Sequence, residues 1–358
     1  MGLIETDGFS GMVHTPGVSL CVGSWPGPRF QDNPLIAALC AGLDEAGAEV
    51  LDIHDPTAAT AARLDVLQIH WPEQIFWQGL GPCATARKAW STVWALARLK
   101  AQGTRIVWMV HNLAPHDPSR WQRLLWRPYH AAIARLTDAF LTLSPSTVGV
   151  VRDAMPALTR KPGFFVWHPS YAGAIRPETE RADARAALGF APSTHVLACL
   201  GHVRPYKGVE ELLEVFRNTA GDLGLIIAGA ARDQAFAQKI AVMAEGDPRI
   251  RLILRALPDA EFGALMAAAD EIVAPFTDYL HSGSIVHALS AGKPVCTPEK
   301  PFARDLASGF GRGWIRLYQP PLTPAVLLPA AIPPPARIAL PDARDAARRM
   351  ICFYRALL

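Results

Sequence analysis

The sequence predicts an α/β protein made of two doubly wound, Rossmann-like domains. Short apolar runs of strand type alternate with helix-length amphipathic segments from about residue 18 to residue 317, which is the pattern of βα units and parallel sheets. The chain has 358 residues, enough for two domains of ordinary size. Half of its residues are hydrophobic and 19% are charged, so a largely disordered chain is excluded.

Each half of the chain contains five predicted strands. In the first half they lie at 18–23, 49–54, 66–71, 105–111 and 139–144, with helices at 34–46, 85–101 and 118–137. A proline-bearing loop at 160–192 ends this pattern. In the second half the strands lie at 195–201, 223–229, 250–257, 271–276 and 293–298. We therefore expect an N-terminal domain at 1–175, a C-terminal domain at 190–335, and a last helix within 336–358 that returns to the first domain.

The charge and hydropathy of the chain exclude some classes of binding partner. The 35 basic and 32 acidic residues leave a net charge of +3, and no stretch dense in Lys and Arg stands out. Nucleic acid is therefore not expected as a partner. No apolar run reaches the ~20 residues that cross a bilayer. We therefore expect a protein that is soluble or rests on a membrane surface.

The segment GHVRPYKGVEELLEVF is the most informative part of the chain. It follows a predicted strand, and the carboxyl ends of such strands are where ligands bind in doubly wound sheets. Gly201 and Gly208 stand where the backbone bends or approaches a ligand, and Arg204 and Lys207 lie between them. Free amides at a helix start together with two cations predict a diphosphate site. The alternative is a surface loop with solvated cations.

A second segment, DYLHSGSIVHALSAGKPV, supplies small residues at another helix start. Ser282, Gly283 and Ser284 expose amides and hydroxyls there, as an anion or a sugar requires. A serine cap without a ligand is the alternative. Because each segment follows its own strand in one domain, the two together favour a site for a nucleoside diphosphate.

The strings HNLAPHD and RPYKGVE, together with DVLQIHWPE and HSGSIVHALSAGKPV, resemble nucleotide-sugar glycosyltransferases of the two-domain GT-B fold. The resemblance is stronger to the GDP-mannose-dependent β-mannosyltransferases of xanthan gum assembly. It implies two Rossmann-like domains facing across a cleft, with the acceptor bound by the N-terminal domain at 1–175 and the nucleotide sugar bound by the C-terminal domain at 190–335. It also implies an inverting transfer from GDP-mannose to a polyprenyl-diphosphate-linked oligosaccharide in exopolysaccharide biosynthesis. A UDP-sugar donor such as UDP-glucose, or a catalytically silent sugar-nucleotide-binding protein, are the alternatives.

One departure from the wider GT-B group concerns the donor site. Many retaining members carry two glutamates eight residues apart, and here these places fall on Tyr279 and His287. We expect both side chains, with His281 between them, to contribute to the donor site. The loss of the acidic pair fits an inverting enzyme.

An inverting transfer needs a base beside the acceptor hydroxyl. Glu73 and Asp117 are the candidates, because each lies in a loop just after a predicted strand. Glu73 could instead cap the following segment, and Asp117 could be the N-cap of the helix after it. His14 and His116 are the remaining candidates. His111 and Asn112 are expected in the cleft, with a structural core histidine as the alternative for His111.

No Asp-x-Asp motif occurs in the sequence, so a metal-bridged diphosphate is not expected. Arg204 and Lys207 would then neutralise the diphosphate without a metal ion, and no cofactor is expected beyond the donor substrate.

The tryptophans are concentrated in the first half of the chain. Nine of the ten precede residue 170, and the segments RKAWSTVWALARLK and SRWQRLLWRPYHAAIARL combine them with basic residues at helical spacing. This composition predicts peripheral contact with the headgroups of an anionic membrane, which for the expected cytoplasmic protein is the inner face of the cell membrane. Core tryptophans beside a solvated basic face are the alternative.

Overall fold

The computed structural model describes residues 19–30, 33–115, 118–171, 179–311, 313–330, 334 and 338–358. The chain divides into two compact units, residues 1–169 with 341–358 and residues 170–340. Each unit is built on a six-stranded sheet in which every strand pair is parallel. The predicted α/β class with two doubly wound sheets is thereby confirmed.

The first unit alternates strands and helices, and its sheet has the order β2-β1-β3-β4-β5-β6. Its elements are β1 (Leu20–Trp25), α1 (Pro34–Glu45), β2 (Ala48–Asp52), α2 (Pro56–Ala59), β3 (Val66–Ile69), α3 (Pro82–Ala101), β4 (Arg105–Met109), α4 (Arg120–Leu136), β5 (Ala139–Thr142), α5 (Pro145–Ala154) and β6 (Gly163–Phe165).

The second unit has the strand order β12-β11-β10-β7-β8-β9. The order therefore reverses between β7 and β10, and a reversal of this kind opens a crevice at the carboxyl ends of the strands. The elements of the unit are α6 (Arg181–Ala187), β7 (His195–Leu200), α7 (Val209–Arg217), β8 (Leu223–Ala228), α8 (Gln234–Ala244), β9 (Ile250–Ile253), α9 (Asp259–Ala268), β10 (Glu271–Val273), α10 (Gly283–Ser290), β11 (Val295–Pro298), α11 (Pro301–Phe310), β12 (Ile315–Tyr318) and α12 (Pro324–Leu327).

The last helix, α13 (Ala343–Arg355), lies in the first unit and packs against α1. Gly42 makes the approach of the two helices possible, because a Cβ there would lie 2.6 Å from the carbonyl oxygen of Ala343. At the other end of α13, the ring of Phe353 stacks on Phe164 of β6 with 5.0 Å between centroids. The end of the chain is thus part of the first hydrophobic core.

The structure corrects several predicted boundaries. The expected loop at 160–192 contains strand β6 and helix α6. β6 has only three residues, too few for a period to be read from the sequence, and it forms because Gly163 pairs with Phe140 of β5. The predicted strand at 250–257 ends at Ile253. β12, which completes the second sheet, has no counterpart among the predicted strands.

The N-cap of helix α4 differs from the residue considered in the sequence analysis. The helix begins at Arg120, and its N-cap is Ser119, whose amide donates to Oε1 of Gln122 at 2.8 Å. The interpretation of Asp117 as the cap of this helix is therefore wrong. Asp117 itself, like His116 and His14, lies outside the described residues.

Among the described residues, none of the helices combines the length and the apolar character needed to span a membrane.

Candidate active site

The loop between β7 and α7 is shaped by glycines at both ends. Gly201 has a φ of +112° and Gly208 a φ of +67°, a backbone region that disfavours side chains. A Cβ on Gly208 would lie 2.2 Å from the carbonyl oxygen of Pro275, just after β10. The amide of Thr277 also donates to the carbonyl of Tyr206 at 2.9 Å. The loops after β7 and β10 therefore form one surface at the point where the strand order reverses.

Lys207 is the buried cation of this surface, with 9% of its area exposed. Its Nζ lies 3.5 Å from the ring centroid of Phe276 and 3.3 Å from Oγ of Ser284. Burial lowers the pKa of Lys207 to about 8. No carboxylate forms an ion pair with it in the part of the chain that the structure describes. A buried charge without a counter-ion is costly, so the site favours an anionic ligand.

Arg204 adds a second cation in the same loop. Its side chain is half-buried, and its guanidinium makes no hydrogen bond or ion pair with any of the residues described here. The surrounding field is positive: burial and the charges of Arg204, Arg232 and Lys207 together lower the pKa of His202. The geometry suits a multiply charged anion such as a diphosphate.

The N-terminus of α10 faces the same cation. Ser282 is the N-cap, and its Oγ accepts from the amide of Ile285 at 3.4 Å. Gly283 and Ser284 occupy the first turn, where amides have no acceptor within the helix. Ser284 meets Lys207 here, although the two residues are 77 positions apart in the sequence. Seven predicted donor-site residues thus share this surface: Gly201, Arg204, Lys207, Gly208, Ser282, Gly283 and Ser284.

The two residues that replace the glutamates of retaining enzymes have aromatic neighbours. Tyr279 packs edge-on against Phe276, the ring that also covers Lys207. His287 stacks on Phe262 with 5.1 Å between centroids, and burial lowers its pKa. His281 packs edge-on against Phe302. Of these three predicted donor-site residues, Tyr279 contacts the same ring, Phe276, as Lys207 does. His281 and His287 instead contact neighbouring helices.

In the first unit, Glu73 lies in the first turn of a short 3₁₀ helix, Pro72–Trp77, directly after β3. The residue is 2% exposed, and Nδ2 of Asn112 donates to Oε1 of its carboxylate at 2.8 Å. Burial raises the pKa of Glu73 to about 7, against the opposing effect of the Asn112 hydrogen bond. The N-cap of this helix is Trp71, so the interpretation of Glu73 as a cap is wrong. A carboxyl group of this pKa is suited to proton transfer near neutral pH.

Two hydrogen bonds from α4 fix the backbone of the Glu73 turn. The hydroxyl of Tyr129 donates to the carbonyl of Pro72 at 3.1 Å, and Nε2 of Gln122 donates to the carbonyl of Phe76 at 2.9 Å. The position of Glu73 is therefore set by a neighbouring helix as well as by Asn112.

His111 and Asn112 follow β4, the neighbour of β3 in the sheet. The ring of His111 stacks on Trp71 at 4.2 Å, and its Nε2 lies 3.0 Å from Nδ1 of His70. The sequence analysis placed His70 near the end of the predicted strand 66–71 and assigned it no role. The signal that could have identified His70 is Gln68, the one polar residue of the otherwise apolar strand VLQI that precedes it.

The tryptophans fall into two groups. Trp25, Trp71, Trp108 and Trp126 are buried, as the core interpretation expects. Trp90 and Trp94, one turn apart on α3, are 56% and 58% exposed. Between residues 74 and 137 the sequence holds nine Lys or Arg residues and a single acidic one, Asp117. The exposed surface of α3 is therefore aromatic and basic.

No group of three or more His, Cys, Asp or Glu side chains that could hold a metal ion occurs among the described residues.

Comparisons with known proteins add to this geometry. No family model matches the chain. The chain is 26% identical over 306 residues to the GDP-mannose:glycolipid 4-beta-D-mannosyltransferase of Xanthomonas campestris pv. campestris. The aligned region covers 84% of this chain and 79% of that protein. The resemblance inferred from the motifs is therefore confirmed.

Solved structures agree on the fold. Anabaena HepE in complex with UDP and glucose superposes with a TM-score of 0.63 at 14% identity, covering 95% of this chain and all (100%) of HepE. Sucrose-phosphate synthase from Thermosynechococcus elongatus gives a TM-score of 0.60 at 14% identity and 94% coverage of both chains. The fold is GT-B, and together with the sequence similarity it confirms the expected class of protein, a glycosyltransferase.

Proposed function

We propose that this protein transfers mannose from GDP-mannose to a polyprenyl-diphosphate-linked oligosaccharide, with inversion and without a metal ion, in exopolysaccharide assembly. The observation that carries the proposal is the similarity, over 84% of the chain, to an enzyme named for GDP-mannose and a glycolipid. The site geometry supports the donor half of the reaction, because Lys207, Arg204 and the first amides of α10 suit a diphosphate.

In the proposed reaction an acceptor hydroxyl oxygen attacks the anomeric carbon of the donor. The bond from that carbon to the phosphate oxygen breaks, and GDP departs with the electron pair. The hydroxyl proton passes to Glu73, whose raised pKa keeps the carboxylate basic enough to accept it. Lys207 and Arg204 stabilise the charge that develops on the diphosphate. Asp117 is the alternative base.

The proposal is tested by incubating the protein with a lipid-linked oligosaccharide and a panel of sugar nucleotides, followed by mass spectrometry of the lipid fraction. A hexose added only from GDP-mannose supports it. A hexose added from UDP-glucose would instead favour a UDP-sugar donor; UDP-glucose is the ligand named for one HepE structure. Tight nucleotide binding with no transfer from any donor would indicate a catalytically silent protein.

The shifted pKa values of Glu73 and Lys207 predict a bell-shaped dependence of kcat/KM on pH. Glu73 must be ionised and Lys207 protonated, and their pKa values are about 7 and about 8. We expect kcat/KM to rise with pH through about 7 and to fall above about 8. Bound diphosphate stabilises the charged lysine, so the alkaline limb of kcat should move to higher pH. A profile that is flat between pH 6 and 9 would contradict both assignments.

We further propose that the aromatic and basic surface of α3 contacts an anionic membrane at the cytoplasmic face, where a lipid-linked acceptor is presented. Exposed tryptophans beside Lys and Arg are typical of helices in the headgroup region. Arg87, Trp90, Trp94 and Arg98 are all exposed.

The double substitution Trp90→Ser with Trp94→Ser is expected to lower binding to vesicles containing phosphatidylglycerol by about tenfold or more, because two interfacial indoles are lost. Co-sedimentation measures the effect. The matched control replaces two exposed apolar residues of the second unit, Val242→Ser with Leu328→Ser. Equal vesicle binding by wild type and the tryptophan variant would remove α3 from the proposed contact.

A further inference from the structure

A chain of buried hydrogen bonds links the last helix to His111. The hydroxyl of Tyr354, on α13, donates to Oε1 of Gln68 on β3. Nε2 of Gln68 lies 3.1 Å from Nε2 of His70, and Nδ1 of His70 lies 3.0 Å from Nε2 of His111. All four side chains are buried. Buried groups of this kind must satisfy one another, so the orientation of one constrains the next.

Tyr354 fixes the orientation of the Gln68 amide. Within the described residues its hydroxyl hydrogen has no acceptor other than Oε1 of Gln68. Rotating the amide by 180° would place its NH₂ group against the tyrosine oxygen and leave that hydrogen buried without an acceptor, which is unfavourable. The NH₂ group of Gln68 therefore points to His70, and its second hydrogen faces Sδ of Met109.

The amide orientation determines where each histidine carries its proton. Because the NH₂ group of Gln68 only donates, Nε2 of His70 must accept and the proton of His70 sits on Nδ1. Nδ1 of His70 then donates to Nε2 of His111. A neutral His111 consequently carries its own proton on Nδ1. The hydroxyl of Ser24 donates to the carbonyl of Pro26 at 2.8 Å, and its oxygen, 3.3 Å from Nε2 of His70, makes no hydrogen bond to His70 in this arrangement.

We propose that Tyr354, acting through Gln68 and His70, holds His111 as the neutral tautomer protonated on Nδ1. Nδ1 of His111 is then a hydrogen-bond donor, and Nε2, which accepts from His70, cannot take up a proton. Tyr354 is in this respect a positioning residue contributed by the end of the chain. Its consequence for transfer depends on the proposed function, whereas the tautomer itself does not.

Two further observations favour this arrangement. Burial lowers the pKa of His70 to about 3, so His70 remains neutral and keeps a single proton. Trp71 stacks on the ring of His111 and holds its plane. A protonated His111 would direct an N–H at the N–H of His70, and relieving this clash would require His70 to change tautomer and the Gln68 amide to rotate.

The test is a two-bond ¹H–¹⁵N spectrum of the full chain labelled at histidine, with His111→Asn and His70→Gln used to assign the signals. We expect a protonated-type Nδ1 and an unprotonated-type Nε2 for His70 and for His111 at pH 7.5. Tyr354→Phe should shift both histidines towards mixed tautomers and lower kcat by about tenfold, with the affinity for GDP unchanged.

Tyr318→Phe, a buried tyrosine of the second unit, is the matched control and should change neither histidine spectrum. The proposal is overturned if the wild-type spectrum places the His111 proton on Nε2, or if Tyr354→Phe leaves both tautomers as they were. If Tyr354→Phe does not fold, the wild-type spectrum alone decides. The spectrum also remains decisive for a protein that transfers no mannose, which separates this inference from the proposed function.

Discussion

Replacing Lys207 with methionine is expected to weaken binding of GDP by about 10- to 150-fold, because a hydrogen bond to a charged group contributes about 1.5–3 kcal/mol. The same substitution should make the protein more stable. The ammonium group is buried, pairs with no carboxylate among the described residues and has a pKa of about 8. Isothermal titration with GDP and thermal unfolding measure the two effects.

The gain in stability has a defined dependence on pH. The pKa of Lys207 is about 8 in the native protein, against 10.5 for an unperturbed lysine. Between these values the unfolded chain holds a proton that the native protein has lost, so this residue makes native stability rise with pH across that window. Below about pH 8 the burial penalty is fully present, roughly 3 kcal/mol by that difference in pKa. Lys207→Met should therefore stabilise most at pH 7 and least near pH 10.

Lys239→Met is the matched control, because Lys239 is exposed on α8 and pairs with Glu210. It should change neither GDP affinity nor the pH dependence of stability. If Lys207→Met binds GDP as well as wild type does, the diphosphate does not lie at this loop, and the proposed donor site is wrong.

Replacing Glu73 with glutamine is expected to lower kcat by about 10²- to 10⁴-fold, the range that a positioned general base contributes. Glutamine keeps an oxygen that can accept from Asn112, so the local geometry is preserved. GDP affinity should be unchanged, because the cations assigned to the diphosphate lie in the other unit. Initial rates with a lipid-linked acceptor, compared with GDP titration, separate the two steps.

The acidic limb of the pH profile distinguishes chemistry from packing. In Glu73→Gln the rise of kcat/KM through pH 7 should disappear, whereas a variant that was merely less stable would keep it. Glu45→Gln, at an exposed ion pair with Arg344, is the control. If Glu73→Gln retains wild-type kcat and Asp117→Asn loses it, the base is Asp117.

Local patterning was enough to predict the fold class. Strands such as β7 and β8 are buried along nearly their whole length, so each appears in the sequence as a continuous apolar run ended by glycine. Helix α1 carries its own start signal, with Asn33 at the N-cap and Pro34 directly after it. The three-residue strand β6 has no such signal, because its pairing with β5 is decided by sheet packing.

The motifs of the candidate donor site were also visible in the sequence, because a parallel sheet brings the carboxyl ends of its strands to one edge. Gly201, Lys207 and Ser284 could be named for this reason. Their contacts could not be named. The order of the strands puts β10 beside β7, and only that order places Ser284 within 3.3 Å of Lys207.

The sequence by itself determined two parallel α/β sheets, the loops that end their strands, and the residue types that a diphosphate needs. The tertiary structure decided which side chains are removed from water. Burial raises the pKa of Glu73 and lowers that of Lys207. The fold also brings Tyr354 within hydrogen-bond distance of Gln68, 286 positions away in the sequence. Solvent exclusion arises from segments far apart in the chain, so no local pattern encodes it.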